Sequence, residues 1–328
     1  MVSAFYNATD DKTSGRAVSL AQQKTLAEPV SVSGVGLHLG QQTTVRLLPA
    51  KPDEGRYFVR TDLLDSGLVD SDLVNGLVNG EMDLRIEADI SHVVATQLST
   101  ELGAGKAQVR TVEHLLSALL ALGLDNVRIE VDGPELPLLD GSALGWLAAI
   151  GSGLGVENQQ LQSADRRRRS PVSHLVSVQD GDAWVTAYPS DTLRFTYGID
   201  FDLPAIGSQW YSWSPGAAPG SMAFASGFAK EVASARTFGL AHQIDYLRSQ
   251  GLIKGGSLEN ALVCGKEGWI NPPLRFENEP ARHKLLDLIG DLSLLGDIPS
   301  AHYVAYKASH ALHVAIARKL EDSCLQLV

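Results

Sequence analysis

Cysteine is nearly missing from this 328-residue chain: Cys264 and Cys324 are all there is. They form neither a close pair nor a metal-ligand spacing, which argues against a disulfide scaffold and fits a reducing compartment. Long apolar runs are lacking too. The longest, near Leu115–Leu124, is too short to cross a bilayer. The opening stretch MVSAFYNATDDKTSG has no apolar core and carries early acids, so it does not read as a secretory signal, and the expected location is the cytoplasm. Positive charge is in deficit, with 27 Lys and Arg against 38 Asp and Glu, a net charge of −11. Such a chain is a poor general nucleic-acid binder, although a local basic pocket can still hold a small anion. The remainder is ordinary for a globular protein: 44% apolar and 20% charged residues, in a length that suits two domains.

Residues 1–24 are small and polar and read as a flexible N-terminal tail. Strand patterns begin with Val30-Ser-Val-Ser-Gly-Val and Thr43-Thr-Val-Arg-Leu-Leu. Residues 63–82, punctuated by Gly, Asn and Asp, read as a surface loop. After Thr111 the period changes. Leu115, Leu116, Leu119 and Leu122 make one apolar helical face, Gly123 is a plausible stop, and Asn126-Val-Arg-Ile-Glu-Val is an alternating strand. Residues 157–171 are polar and include Arg166–Arg169, which reads as a solvated linker between domains. Strand-like segments follow at His174–Val178, Trp184–Tyr188 and Leu193–Tyr197. Then the first half's plan recurs: a helix from Arg282 to a stop at Gly296, and a strand His302-Tyr-Val-Ala-Tyr. Glu113-His114-Leu-Leu and Arg282-His283-Lys-Leu-Leu occupy matching places in the two halves. The expected fold is therefore α+β: two related domains, 25–156 and 172–328, each a β-sheet packed with helices, with both histidines at the seam.

The chemistry concentrates on these two helices. His283, Asp287 and Asp291 are spaced by four and share one helical face. An imidazole and a carboxylate one turn apart can reach one divalent ion. A catalytic zinc site wants a third protein ligand, for which His114 is the natural candidate. By itself the His-x-x-x-Asp spacing also suits a surface helix with solvated carboxylates, and Glu113-His114 alone suits any helix start. His310, just past a strand in Lys307-Ala-Ser-His, adds a further group where reacting side chains are often found.

Thr111-Val-Glu-His-Leu, Asp125-Asn, Gly133-Pro-Glu-Leu-Pro-Leu-Leu-Asp-Gly-Ser, Ser234-Ala-Arg-Thr-Phe-Gly, Gly255-Gly-Ser, Leu274-Arg-Phe-Glu, Arg282-His-Lys-Leu-Leu-Asp-Leu-Ile-Gly-Asp-Leu and Tyr306-Lys-Ala-Ser-His-Ala-Leu occur in that order. Together they resemble the UDP-3-O-acyl-N-acetylglucosamine deacetylases, zinc amidases of lipid A biosynthesis, over roughly residues 25–320. The resemblance implies two related domains with the active site between them. It implies Zn2+ on His114, His283 and Asp287, Glu113 as general base, and His310 as general acid held by Asp291. Thr237 would bind the oxyanion, Lys284 and Lys307 would face the phosphates, and an insert near 238–270 would pass the substrate's fatty chain. Phe238 lies at the start of that insert. Phe201 and His38 resemble positions lining the nucleotide pocket, though core or turn roles suit them as well. Residue 313 is His where the family usually has Asn.

The implied partner is a UDP-linked acylated amino sugar, with no nucleic acid and no transmembrane segment, and the chain is expected to be a monomer. Two other enzyme or binding readings compete: an amidohydrolase of the same architecture acting on another N-acylated compound, and a nucleotide-sugar binding protein without catalysis. The presence of all five groups Glu113, His114, His283, Asp287 and His310 argues against the second. A nucleic-acid module is opposed by the charge.

Overall fold

The computed structural model describes residues 22–65, 84–151, 158–166 and 169–325. Most of the predicted N-terminal tail and most of the 63–82 loop lie outside the described residues.

The strands run β1 (Gln22–Leu26), β2 (Val30–Val35), β3 (Gln42–Pro49), β4 (Arg56–Arg60), β5 (Arg85–Glu87), β6 (Val93–Ala95), β7 (Glu101–Ala104), β8 (Ala107–Arg110) and β9 (Val127–Val131) in the first half. The second half has β10 (Gln159–Asp165), β11 (Val176–Asp180), β12 (Ala183–Pro189), β13 (Arg194–Asp200), β14 (Ser208–Trp213), β15 (Phe238–Leu240), β16 (Leu262–Gly265), β17 (Gly268–Trp269) and β18 (Ala301–Tyr306). The helices are α1 (Thr61–Asp65), α2 (Glu113–Leu122), α3 (Leu144–Ile150), α4 (Met222–Glu231), α5 (Ile244–Ser249), α6 (Glu279–Leu292) and α7 (His310–Leu325).

The faint repeat in the sequence is a repeat in topology. One five-stranded sheet has the order β2-β3-β9-β4-β5 and the other β11-β12-β18-β13-β14. In each, two hairpins come first. A helix then returns the chain so that the last strand inserts at the centre, parallel to the third (Phe58 opposite Ile129, Phe195 opposite Tyr303) and antiparallel to the second. The strands alternate as a half-covered sheet requires: in β9, Val127, Ile129 and Val131 are fully buried while Arg128 and Glu130 face out.

The helices α2 and α6 that feed the central strands pack directly on each other. The expectation of one apolar face on α2 understates its environment, because all ten of its residues are buried. That suits its composition, since Leu and Ala surround the helix rather than forming one stripe. Gly123 stops it in the left-handed region, as its place after the last leucine predicts. At Gly290 of α6 a Cβ would lie 2.2 Å from the Glu113 carbonyl oxygen, so only glycine permits this approach. The two helices that carry the candidate ligands thereby meet at the start of α2.

The segment 157–171 is more structured than a solvated linker. Its strand β10 pairs antiparallel with β1. Arg166 bonds Asp125 at 2.8 Å and Arg169 bonds Glu321 at 2.6 Å, both side chains largely covered. Asn126 anchors this strap by donating to Gln23 and Gln162, a buried amide network with no local signature in the sequence. No helix among the described residues is long and apolar enough to cross a membrane.

Candidate active site

Where α2 and α6 meet, His114, His283 and Asp287 present ligand atoms that all lie within 4.8 Å of one another. Both imidazole Nε2 atoms point at one carboxylate oxygen: His114 at 3.6 Å and His283 at 3.4 Å from Asp287 Oδ1. The His283 Nδ1–H donates to the Ala235 carbonyl at 3.0 Å, which fixes the tautomer and leaves Nε2 free to ligate. Asp287 Oδ1 is buried and has no hydrogen-bond partner. A buried carboxylate oxygen without a donor, faced by two imidazole nitrogens, fits a divalent cation. Burial lowers the His283 pKa to about 4, so the ring is neutral, as a ligand must be. Burial opposes ionisation of Asp287 too, but His283 and Lys284 outweigh it and hold its carboxyl well below the usual range.

Beside this donor set stand an acid and a base. Glu113, in the first turn of α2, is buried, and its Oε2 accepts the Thr100 N–H at 3.1 Å. Burial raises its pKa, against the pull of His310 and His114. His310 opens α7 and turns its Nε2 toward Glu113 and Asp287, 3.9 Å from an oxygen of each. Its Nδ1–H donates to Asp291 Oδ2 at 2.8 Å. Burial alone would favour the neutral imidazole. The Asp291 charge and hydrogen bond overcome it and raise the His310 pKa to about 9. Both shifts are upward: the raised Glu113 pKa makes its carboxylate a stronger proton acceptor, and the raised His310 pKa keeps its ring protonated as an acid.

Two residues that the sequence reading gave no role complete this arrangement. Thr100 Oγ1 donates to Asp291 Oδ1 at 2.5 Å. His313 Nδ1 lies 2.8 Å from Asp291 Oδ2, and its Nε2 lies 2.9 Å from the Tyr197 hydroxyl. The unusual histidine at 313 therefore supplies a second imidazole donor to the carboxylate that holds His310. Asp291, His310 and His313 also cluster closely enough for a metal. Asp291 Oδ2, however, already accepts from both rings, so hydrogen bonding accounts for that cluster.

Thr237 is held in place through its backbone: its N–H donates to Gly141 O at 2.7 Å. Its neighbour Arg236 is clamped to the buried Glu279 at 2.8 Å. Thr237 lines a small cavity of about 30 Å³ together with Leu37, Glu113, His114, His283, Lys284, Asp287 and His310. A larger cavity, about 580 Å³, is lined by residues such as Arg56, Asp125, Arg166 and Arg169 and contains none of these groups. Volume does not locate the chemistry here; the convergence of donors does.

The expected substrate contacts are scattered in their placement. Phe201 and Phe238 touch edge to face, ring centres 5.6 Å apart. Lys284 reaches one of the candidate metal ligands: its Nζ donates to Asp287 Oδ2 at 3.0 Å. Lys307 lies outside the buried cluster, its Nζ bonded to Asp182 at 2.6 Å. His38 is fully buried, and neither ring nitrogen has a hydrogen-bond partner. Its neighbour Leu37 lines the small cavity.

Residues 23–322 match the family model described as UDP-3-O-acyl N-acetylglycosamine deacetylase. The chain belongs to that family. It is 54% identical over 299 residues to the UDP-3-O-acyl-N-acetylglucosamine deacetylase of Trichormus variabilis, covering 91% of this chain and 98% of that protein. The Synechocystis deacetylase of the same name is 50% identical with the same coverage. A protein of Arabidopsis thaliana named probable UDP-3-O-acyl-N-acetylglucosamine deacetylase 1, mitochondrial, is 43% identical over 91% of this chain and 87% of its own length. The two-domain α+β fold and the seam between its halves are those of a deacetylase family member.

Proposed function

We propose that this deacetylase family member hydrolyses the N-acetyl group of UDP-3-O-acyl-N-acetylglucosamine, giving UDP-3-O-acyl-glucosamine and acetate in lipid A biosynthesis, and that it depends on zinc. The observation that carries the reading is the unsatisfied Asp287 Oδ1 faced by two free imidazole nitrogens, with Glu113 and His310 beside it. His114, His283 and Asp287 would hold the ion, and two histidines with one carboxylate are a donor set typical of catalytic zinc. When bound, such an ion acts as a Lewis acid and makes water a strong nucleophile near neutral pH.

The chain's own residues do the rest. Glu113, its carboxylate oriented by the Thr100 N–H, takes a proton from the attacking water. The Thr237 hydroxyl stabilises the developing oxyanion. His310, held protonated by Asp291, delivers a proton from Nε2 to the leaving nitrogen as the C–N bond breaks. Water has then added across the amide, and acetate and the free amine depart.

Lys284 and Lys307 are proposed to face the phosphates, Phe201 and His38 to line the nucleotide pocket, and Phe238 to stand at the mouth of the insert. The insert near 238–270 is proposed as the acyl passage. Its helix α5 buries none of its side chains, and Tyr246 is 66% exposed, so its apolar groups do not simply fill the core. A cytoplasmic monomer is proposed, and the free, buried Cys264 suits a reducing compartment. The test is acetate release from the UDP-linked acylated sugar, before and after chelation and after adding back zinc. A protein that releases no acetate in any of these states does not have this function.

A further inference from the structure

Glu135, inside the Gly133–Ser142 motif, has no part in the chemistry above, yet the residue is only 1% exposed. Among the described residues no cationic side chain pairs with it. Three hydrogen bonds compensate its burial: Oε1 accepts the His38 N–H at 2.7 Å and the Thr111 hydroxyl at 3.1 Å, and Oε2 accepts the Leu39 N–H at 2.7 Å. The carboxylate also occupies the space a side chain at residue 36 would need, since a Cβ on Gly36 would lie 2.5 Å from Oε2.

The turn so gripped reaches across to the insert. Lys254 N–H donates to His38 O at 3.1 Å and Gly255 N–H to Leu37 O at 3.0 Å. A Cβ on Gly255 would lie 2.1 Å from Gly36 O, so the two backbones are in direct contact. On its other side Glu135 holds Thr111, two residues before Glu113, and both Thr111 and Leu37 line the small cavity. One buried carboxylate thus connects the start of α2, the Gly36–Gly40 turn and the insert.

The geometry points to Glu135 as a positioning residue: by fixing the Gly36–Gly40 turn against residues 254–256, it sets the wall of the cavity where the insert begins, and so governs how the acylated substrate is seated. The last step rests on the function proposed above.

Glu135→Gln places an amide NH2 where one acceptor oxygen stands, leaving one backbone N–H without a partner. Amide exchange of 36–40 and 254–256 should accelerate about tenfold or more relative to α2 and α6, the scale of one charge-assisted bond. Zinc content should equal the wild type's, and KM for the acylated UDP-sugar should rise about tenfold with kcat little changed. Thr111→Ala removes one donor and keeps both backbone bonds, so it should shift the same quantities less, and it decides the matter if the glutamine variant does not fold. Unchanged exchange at 36–40, or an unchanged KM, in whichever variant folds overturns the proposal. If the wild type itself releases no acetate, the proposed function fails, while the exchange result still judges the role of Glu135.

Discussion

Replacing Asp291 by Asn removes one charge and should move one limb of the pH profile. Asp291 accepts from Thr100, His310 and His313, and its negative charge keeps His310 protonated despite burial. The His310 pKa stands at about 9 against an ordinary 6.5, a difference worth roughly 3 kcal/mol. Without the carboxylate's charge, only Glu113 and Asp287 still oppose burial, and the pKa should fall toward the ordinary 6.5. A full fall to that value would take the protonated fraction at pH 7.5 from nearly all to about a tenth, so kcat/KM should fall by up to about tenfold there and recover as pH is lowered. The assay is kcat/KM for acetate release from pH 5.5 to 10, with zinc content checked for both proteins. A variant whose activity drops equally at every pH, with the alkaline limb still near that of the wild type, would refute the claim that Asp291 sets the acid. The same shift bears on stability. A folded-state pKa above the unfolded one means the contribution of His310 is full below 6.5 and is lost as pH rises through about 9. The metal-free wild type should lose stability across that window more steeply than Asp291→Asn.

Other outcomes test the remaining roles. Glu113→Ala should keep its zinc and lose on the order of a hundredfold or more in kcat, measured as acetate release by metal-loaded protein. His313→Leu should lower kcat about tenfold with zinc and KM unchanged, and His313→Asn, which can still donate to Asp291, should restore most of it; equal activity of wild type and leucine variant would remove His313 from the account. Lys284→Ala should raise KM for the UDP substrate more than it alters zinc content, and the wild-type KM should rise with ionic strength. Shortening the 3-O-acyl chain should lower kcat/KM by up to about 0.8 kcal/mol per methylene lost, and full activity on a substrate without the chain would dismiss the passage.

What could be read in the sequence is what local spacing encodes. The four-residue interval puts His283, Asp287 and Asp291 on one helical face, and Gly123 ends α2 as its position predicts. The repeated helix-then-central-strand plan was visible because each half carries a His-Leu-Leu or His-Lys-Leu-Leu start before an alternating strand. Contacts between distant segments were not legible. Thr100 reaches Asp291 across 191 residues, from a hairpin with no chemical signature. The unpatterned Ser208–Trp213 becomes strand β14 because β13 offers it an edge, with Phe195 stacked on Trp213. Arg166 and Arg169 look solvated in sequence but find Asp125 and Glu321 in space. Nothing near His38 in the sequence shows that Glu135 accepts its backbone N–H across 97 residues and that Lys254 of the insert donates to its carbonyl.

The central claim is that His114, His283 and Asp287 form one metal site on which the activity depends. Its most direct test is zinc content and acetate release measured side by side on wild type and His283→Ala, each equilibrated with the same limiting free zinc. The wild type should hold one zinc per chain and turn over the UDP-linked substrate, and the variant should lose both tight zinc binding and activity while remaining folded. A His283→Ala protein that keeps full zinc occupancy and full turnover would contradict the account.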